Sequence, residues 1–401
     1  MKKKILIIFK AQWDWNKFII NKISKFYNVK YIYLDAINKN YLNTIDEINN
    51  IIKEEKIDTV FFDVDYQKFI NFYFIEKIIN VKKVMMTFDN YERHVLNMIT
   101  ACSCHLVLTD NISALKYKEI GISAFNWFLE SDGSFYKDMK LDKKIDVLFF
   151  GKINKDRKDY INFLENNGLK VKIVGNNTEN YVTDENLVRM INESKIVINF
   201  TKTTWKKLSN FLGQNIFQNQ YQLKGRIVQT GLCNTACVTE YAPHHDLLYK
   251  SDELLQFTNK EECLDILKNL LNNEEDLINY TKKFSDKTRN SYEDSKSFQK
   301  VYNFLEKTSL SNQTRIKKNL EKVPYWYKRI CAKQILLRDL KLSTILQSFS
   351  NFREISIITK TSNIFTILLI FLETGINFIY YSILNTLRAK GSGKNRYTDE
   401  L

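Results

Sequence analysis

Short runs of apolar, β-favouring residues alternate along most of the chain with longer segments whose apolar residues recur at three- and four-residue spacing. That alternation is the pattern of a parallel sheet covered by helices. Runs at Lys4–Phe9, Val29–Leu34, Thr59–Asp63, Lys83–Phe88, His105–Thr109 and Ala124–Phe128 predict strands. Between them Trp15–Phe26, Leu42–Glu54, Tyr66–Ile79, Glu92–Thr100 and Asn111–Glu119 predict helices, the last with Asp110 and Asn111 as capping candidates. One doubly wound α/β domain is therefore complete by residue 128.

Glu130–Lys144 is polar, with a turn at Asp132-Gly-Ser, and reads as a linker. The same rhythm then restarts. Strands are expected at Lys144–Phe150, Lys170–Val174, Lys195–Phe200, Ala236–Thr239 and near Leu254–Phe257. Helices are expected at Asp156–Asn166, Glu185–Asn192, around Gln218–Thr230, and at Glu261–Leu271, Glu274–Lys287 and Tyr292–Lys307. The division is a first Rossmann-like domain over 1–129, a linker over 130–143, a second over 144–308 and a tail over 309–401. Two such halves leave a cleft between them, and open α/β sheets bind ligands outside their strand C-termini.

Composition narrows this. Hydrophobic residues make up 44% of the 401-residue chain and aromatic residues 13%, enough for two cores, and 11 glycines with 2 prolines exclude collagen-like or Pro-rich architectures. The formal charge of +14 suits nucleic acid, anionic lipid or a phosphorylated substrate equally. From Arg315 to Lys341, however, basic residues recur among aromatics beside the most hydrophobic part of the chain, which favours a membrane surface and argues against a nucleic-acid partner. The six cysteines do not make a disulfide scaffold, and the apolar run after Met1-Lys-Lys-Lys is too short for a secretory segment, so a cytoplasmic protein is expected.

Several patterns suggest chemistry and are better read as structure. Asp63-Val-Asp65 matches a D-x-D metal site but also simply ends a strand. Cys102-Ser-Cys104-His105 and His244-His245-Asp246 lack a second half at metal-site spacing. No full Gly-rich fingerprint or P-loop occurs, because Gly151 and Gly175 stand singly. Neither metal nor resident cofactor is expected. Lys224-Gly-Arg226 is more informative: two cations beside a glycine near a helix start can neutralise a diphosphate, or form a solvated basic turn. Glu240 and Glu253 flank the next segment, where a carboxylate can hold sugar or ribose hydroxyls or stand as a surface charge.

The order of these pieces from Val84 to Glu306 resembles the spore-maturation CgeB-like glycosyltransferases, relatives of the group-1, family-4 enzymes of GT-B architecture. The resemblance runs through Thr87-Phe-Asp89-Asn90, Leu108-Thr-Asp110 and Tyr117-Lys-Glu-Ile-Gly121. It continues with Asp146-Val-Leu-Phe-Phe-Gly151, Arg157, Val174-Gly175 and Ile196-Val-Ile-Asn199, then Arg226-Ile-Val-Gln229, Val238-Thr-Glu240 and Lys250-Ser-Asp-Glu253. It implies a second half that binds a nucleotide-sugar co-substrate and a first half that presents a glycan or lipid-linked acceptor. The donor side would take Gly151, Lys152, Arg157, Gly175, Asn199, Lys224, Arg226, Gln229, Glu240 and Glu253, with Arg226 also assisting departure of the diphosphate. The chain departs from the family pattern at Gln229, where Glu is usual, and at Ser251, where Gly is usual. Gln can hydrogen-bond a hydroxyl but carries no charge.

On the acceptor side, Asp89 at a strand end is the candidate base or acceptor contact, with Asn90 beside it, although a strand-end cap explains Asp89 equally. Trp13 and Trp15 offer aromatic faces to a sugar, or belong to the core. In the tail, Asn363–Leu384 is long enough to span a bilayer, but Glu373 and Asn377 lie at its centre. A central carboxylate costs roughly 2.5–3.5 kcal/mol on insertion scales, so an interfacial or re-entrant anchor is expected rather than a span, membrane contact extending over residues 315–387. Packing against a protein is the alternative. Two rivals share the fold: a non-catalytic sugar or nucleotide binder, and a polyol-phosphate transferase of teichoic-acid type.

Overall fold

A computed structural model describes residues 2–9, 11–12, 16–34, 41–64, 70, 72–87, 90–127, 131–175, 182–202, 221–243, 245–292, 294–310, 319–329, 332, 368, 369, 372 and 376. The first half runs β1 (Lys4–Phe9), α1 (Asn16–Ser24), β2 (Asn28–Tyr33), α2 (Tyr41–Glu55), β3 (Thr59–Asp63), α3 (Phe72–Lys77) and β4 (Lys82–Met86). It continues with α4 (Asn90–Ala101), β5 (Leu106–Thr109), α5 (Asn111–Glu119) and β6 (Ala124–Asn126). The strands form one parallel sheet in the order β2-β1-β3-β4-β5-β6, with Ile5 opposite both Val29 and Thr59. Period-2 alternation splits the buried strand residues between two faces. Leu6, Ile8, Val60, Phe62 and Met85 enter one core cluster, while Ile5, Ile7, Phe9, Phe61 and Met86 enter the other. The expected cap is present: the Asp110 carboxylate accepts from Ser113 N at 2.9 Å.

The second half repeats the plan with β7 (Ile145–Phe150), α6 (Lys155–Asn166), β8 (Val171–Val174), α7 (Asp184–Asn192), β9 (Ser194–Asn199) and α8 (Gly225–Leu232). There follow β10 (Ala236–Glu240), β11 (Leu255–Phe257), α9 (Lys260–Asn272), α10 (Glu274–Tyr292) and α11 (Asp294–Lys307). Its parallel sheet has the order β11-β10-β9-β7-β8, so both sheets wind alike and reverse direction beside their first strands. The helix expected around Gln218 begins later, at Gly225, after Lys224 in extended conformation (φ −91°, ψ 147°); residues 203–220 lie outside the described set.

Two segments join a different body from the one their sequence position suggests. Helix α11, grouped above with the second domain, packs Phe298, Val301 and Leu305 against Ile5, Ile7 and Phe61 of the first sheet. The i, i+3, i+7 spacing makes one apolar stripe, and that stripe covers one face of β1. Residues 319–323, assigned above to a separate tail, send Leu320 and Val323 into the core on the opposite face, with Ile99, Tyr117 and Ile120. The chain thus returns from the second lobe and closes both faces of the first. Among the described residues no helix is long and apolar enough to cross a membrane.

The linker is the seam. Asp132 Oδ1 accepts from Ser134 N (2.8 Å) and Ser134 Oγ (2.6 Å), which is the expected turn. The buried Lys22 ammonium donates to Ser131 O at 2.8 Å and lies 5.3 Å from the centre of the Trp127 ring. Tyr136 is buried in the second core and packs edge-on against Phe18 of α1.

Candidate functional site

The winding of the second sheet reverses between β7 and β9, and open α/β sheets receive ligands beyond the strand ends at such a point. Gly151 and Gly175 follow β7 and β8 with φ of +130° and +146°, conformations that L side chains rarely adopt. A Cβ on Gly175 would lie 2.5 Å from the Gly151 carbonyl oxygen, and one on Gly151 would lie 2.8 Å from Nη2 of Arg226. The two glycines let two strand-end loops and one guanidinium approach with no side chain between them.

Arg226 sits in the first turn of α8. Its Nη1 donates to Asn199 Oδ1 at 3.0 Å, and Asn199 Nδ2 donates in turn to Thr239 Oγ1 at 2.9 Å, so the ends of β9 and β10 orient the cation. Its guanidinium carbon lies 5.7 Å from the centre of the Phe149 ring and 6.0 Å from that of Phe150. Arg157, in the first turn of α6, lies 6.0 Å from the same Phe149 ring and donates to Lys152 O at 2.7 Å. Burial holds the Arg157 pKa below the usual guanidinium value, opposed by the nearby charges of Glu240 and Asp156. Helix α8 has no side-chain cap at Lys224, whose ammonium donates to Gln222 Oε1 at 2.8 Å. Two guanidinium groups gathered about one ring beside a helix N-terminus are suited to a diphosphate.

The remaining sequence candidates divide. Glu240 is buried, and its Oε2 accepts from Thr201 N (2.9 Å) and Lys202 N (2.8 Å), so it clamps the loop after β9 while lending negative charge near Arg157. Gln229 donates its amide to Tyr136 Oη of the linker at 3.0 Å. Glu253 accepts from Lys250 N at 2.8 Å within its own turn and lies 3.8 Å from Lys287. Lys152 is exposed beside Gly151. Trp13, Trp15, Asp89, Asp65 and His244 lie outside the described residues, as does the side chain of Asn90. Among the described residues no group of three or more His, Cys, Asp or Glu is arranged to hold a metal ion. His105 Nδ1 instead accepts from Lys83 N at 3.0 Å, and His245 pairs with Gln256. Sequence reasoning missed Phe149 and Thr239: the first looks like any strand residue, and the second orients Asn199 only through tertiary contact.

The profile of the glycosyl transferase-like family matches residues 157–300. No curated protein matches the chain. Among solved structures, HepE of Anabaena in complex with UDP and glucose superposes with a TM-score of 0.55 at 10% identity, covering 76% of this chain and 100% of that one. A glycosyltransferase from Rickettsia africae gives 0.51 at 10% identity, over 77% and 100%. An alpha-glucosyltransferase in complex with UDP and a DNA 13-mer gives 0.52 at 12% identity, again over 77% and 100%. These likenesses establish the two-sheet GT-B fold. The chain carries a glycosyl transferase-like domain at residues 157–300 within that fold and is an enzyme of the glycosyltransferase class.

Proposed function

We propose that the chain transfers a sugar from a nucleoside-diphosphate sugar to a cell-surface glycan or lipid-linked acceptor, at the inner face of the cell membrane. Complexes of HepE and the alpha-glucosyltransferase with UDP support a uridine diphosphate sugar as donor, and the order of motifs supports the CgeB-like branch. The observation that carries the reading is the Gly151–Gly175–Arg226–Asn199 cluster at the reversal point of the second sheet. The departing diphosphate gathers negative charge, and preoriented cations stabilise such charge without reorganising. Arg226, Arg157 and the α8 N-terminus supply this in a metal-independent mechanism, with Lys224 and Lys152 at the margin and Glu253 near the ribose. Asp89 is proposed as acceptor contact or base in the first lobe, with Asn90, Trp13 and Trp15 beside it.

A ligand at 100 times its dissociation constant stabilises a protein by about 2.7 kcal/mol. The test is a thermal-shift panel of nucleotide sugars including UDP-glucose, followed by analysis of the released nucleotide. One sugar nucleotide is expected to raise the melting temperature, Arg226→Ala to abolish that rise, and nucleoside diphosphate to accumulate with acceptor. Release of monophosphate would instead support a polyol-phosphate transferase. Binding without turnover would support a non-catalytic binder, a reading that draws on Gln229, whose amide is directed at Tyr136.

A further inference from the structure

Residues 319–329 are fastened to the first lobe. Leu320 and Val323 are buried in its core. The Tyr327 ring packs edge-on against His94 of α4, 5.8 Å between centroids, and His94 packs in turn against Tyr117 of α5 at 5.5 Å. Lys322 Nζ rests against the turn at Gly121, 3.1 Å from where a Cβ would stand. The same segment holds Tyr325 and Trp326 out, 49% and 43% exposed, with the Trp326 ring tilted against Tyr327 at 3.9 Å between centroids. Large aromatics held in solvent by buried neighbours mark contact surfaces.

The surrounding charge is positive. Lys322 is exposed in this segment, and Lys116 and Lys118 occupy the last turn of the helix it packs on. Arg315, Lys317, Lys318, Lys333, Arg338 and Lys341 flank the segment in sequence, against Glu321 and Asp339. Further on, Leu368, Leu369, Leu372 and Ile376 are helical and more than half exposed, at spacings that put them on one face. Amphipathic aromatics among lysines match the headgroup level of an anionic bilayer.

We propose that residues 319–329 form a bracket that fastens an anionic-bilayer contact to the first lobe, seating Tyr325 and Trp326 among the headgroups, with Leu368, Leu369, Leu372 and Ile376 as a second contact. The inference deepens the function above and rests on it in one respect: the first lobe presents the acceptor. A lobe pinned to the bilayer favours an acceptor held in that bilayer, a lipid-linked glycan, over one free in solution.

The test is co-sedimentation of the full chain with phosphatidylcholine vesicles, with and without phosphatidylglycerol. Binding is expected with the anionic vesicles and to fall with added salt. Tyr325→Ala with Trp326→Ala should weaken the partition about tenfold. Lys322→Glu, at an exposed position, should weaken it about fivefold or more. Both variants should keep the nucleotide-sugar thermal shift of the parent, so a parent that shows no shift counts against the donor reading alone. The proposal is overturned if these variants partition like the parent, if neutral vesicles bind equally, or if the parent stays in the supernatant. Loss with Leu372→Asp alone, or sedimentation without lipid, overturns it too: the first leaves that second contact as the sole one, and the second makes another protein copy the occupant.

Discussion

Replacing Gly175 with alanine sets a Cβ 2.5 Å from the carbonyl oxygen of Gly151, 2.9 Å from its carbonyl carbon and 3.0 Å from its Cα, all of them backbone atoms. It also forces a side chain onto a residue with φ of +146°. The two costs can be separated, because Gly168 has φ of +90° and nothing within 4 Å of its would-be Cβ. Gly168→Ala should therefore show a left-handed penalty alone, about 1–2 kcal/mol, and the glycine-only conformation at Gly175 sets a larger one, up to about 3 kcal/mol. Gly175→Ala should add about 1–3 kcal/mol of overpacking, since backbone cannot swing aside. Gly151→Ala is the third member: φ is +130°, but its Cβ would meet the flexible Arg226 guanidinium, 2.8 Å from Nη2. Its stability cost should fall between those of Gly168→Ala and Gly175→Ala, because it shares the backbone region of Gly175 without the backbone clash, while the displaced Arg226 loses Asn199 and the donor. Denaturant unfolding of the three variants, with a nucleotide-sugar thermal shift on each, measures both effects. If Gly175→Ala is no less stable than Gly168→Ala, or if Gly151→Ala keeps the full ligand shift, the reasoning about this site is wrong.

Asn199→Ala should cost about 0.5–1.5 kcal/mol by removing the amide's bond to Thr239, whose hydroxyl still donates to Glu240 O, and should weaken donor affinity about tenfold by releasing Arg226; titration calorimetry with unchanged affinity would refute the orienting role. Burial, with the charge of Lys116 adding to it, pushes the His94 imidazole down to about 3. An unfolded histidine titrates near 6.5, so between these values the unfolded chain binds the extra proton. Stability should be full above pH about 6.5 and fall by about 1.4 kcal/mol per unit on acidification. His94→Phe, which keeps a ring against Tyr117 and Tyr327, should flatten that slope, and equal slopes for the two proteins between pH 6.5 and 5 would contradict it.

Much of the fold was legible because periodicity is local. The unbroken apolar run Ile5–Phe9 announces a strand buried on both faces, the Asp110 and Asp132 side chains cap and turn the chain within three residues, and Lys224-Gly-Arg226 announces a cationic helix start. The site was legible in part. Arg226 was visible as a charge, but its orientation depends on Asn199, 27 residues away, and on Thr239. Gln229 has a partner 93 residues off in the linker, which no local pattern points to.

The amino-acid order by itself determined two repeats of strand and helix, the faces that must be covered, the basic excess, and an apolar tail interrupted by polar residues. Only the tertiary structure decided what covers what. Helix α11 shows an apolar stripe whichever lobe it meets, and Leu320 and Val323 are merely hydrophobic until they reach the face of the first sheet opposite that helix. Burial of apolar surface carries no direction, so sequence specifies that a stripe must be buried but not against which partner. The choice of partner, and with it the bracket and the placing of Arg226 beside Gly151, comes from the packing of the whole chain.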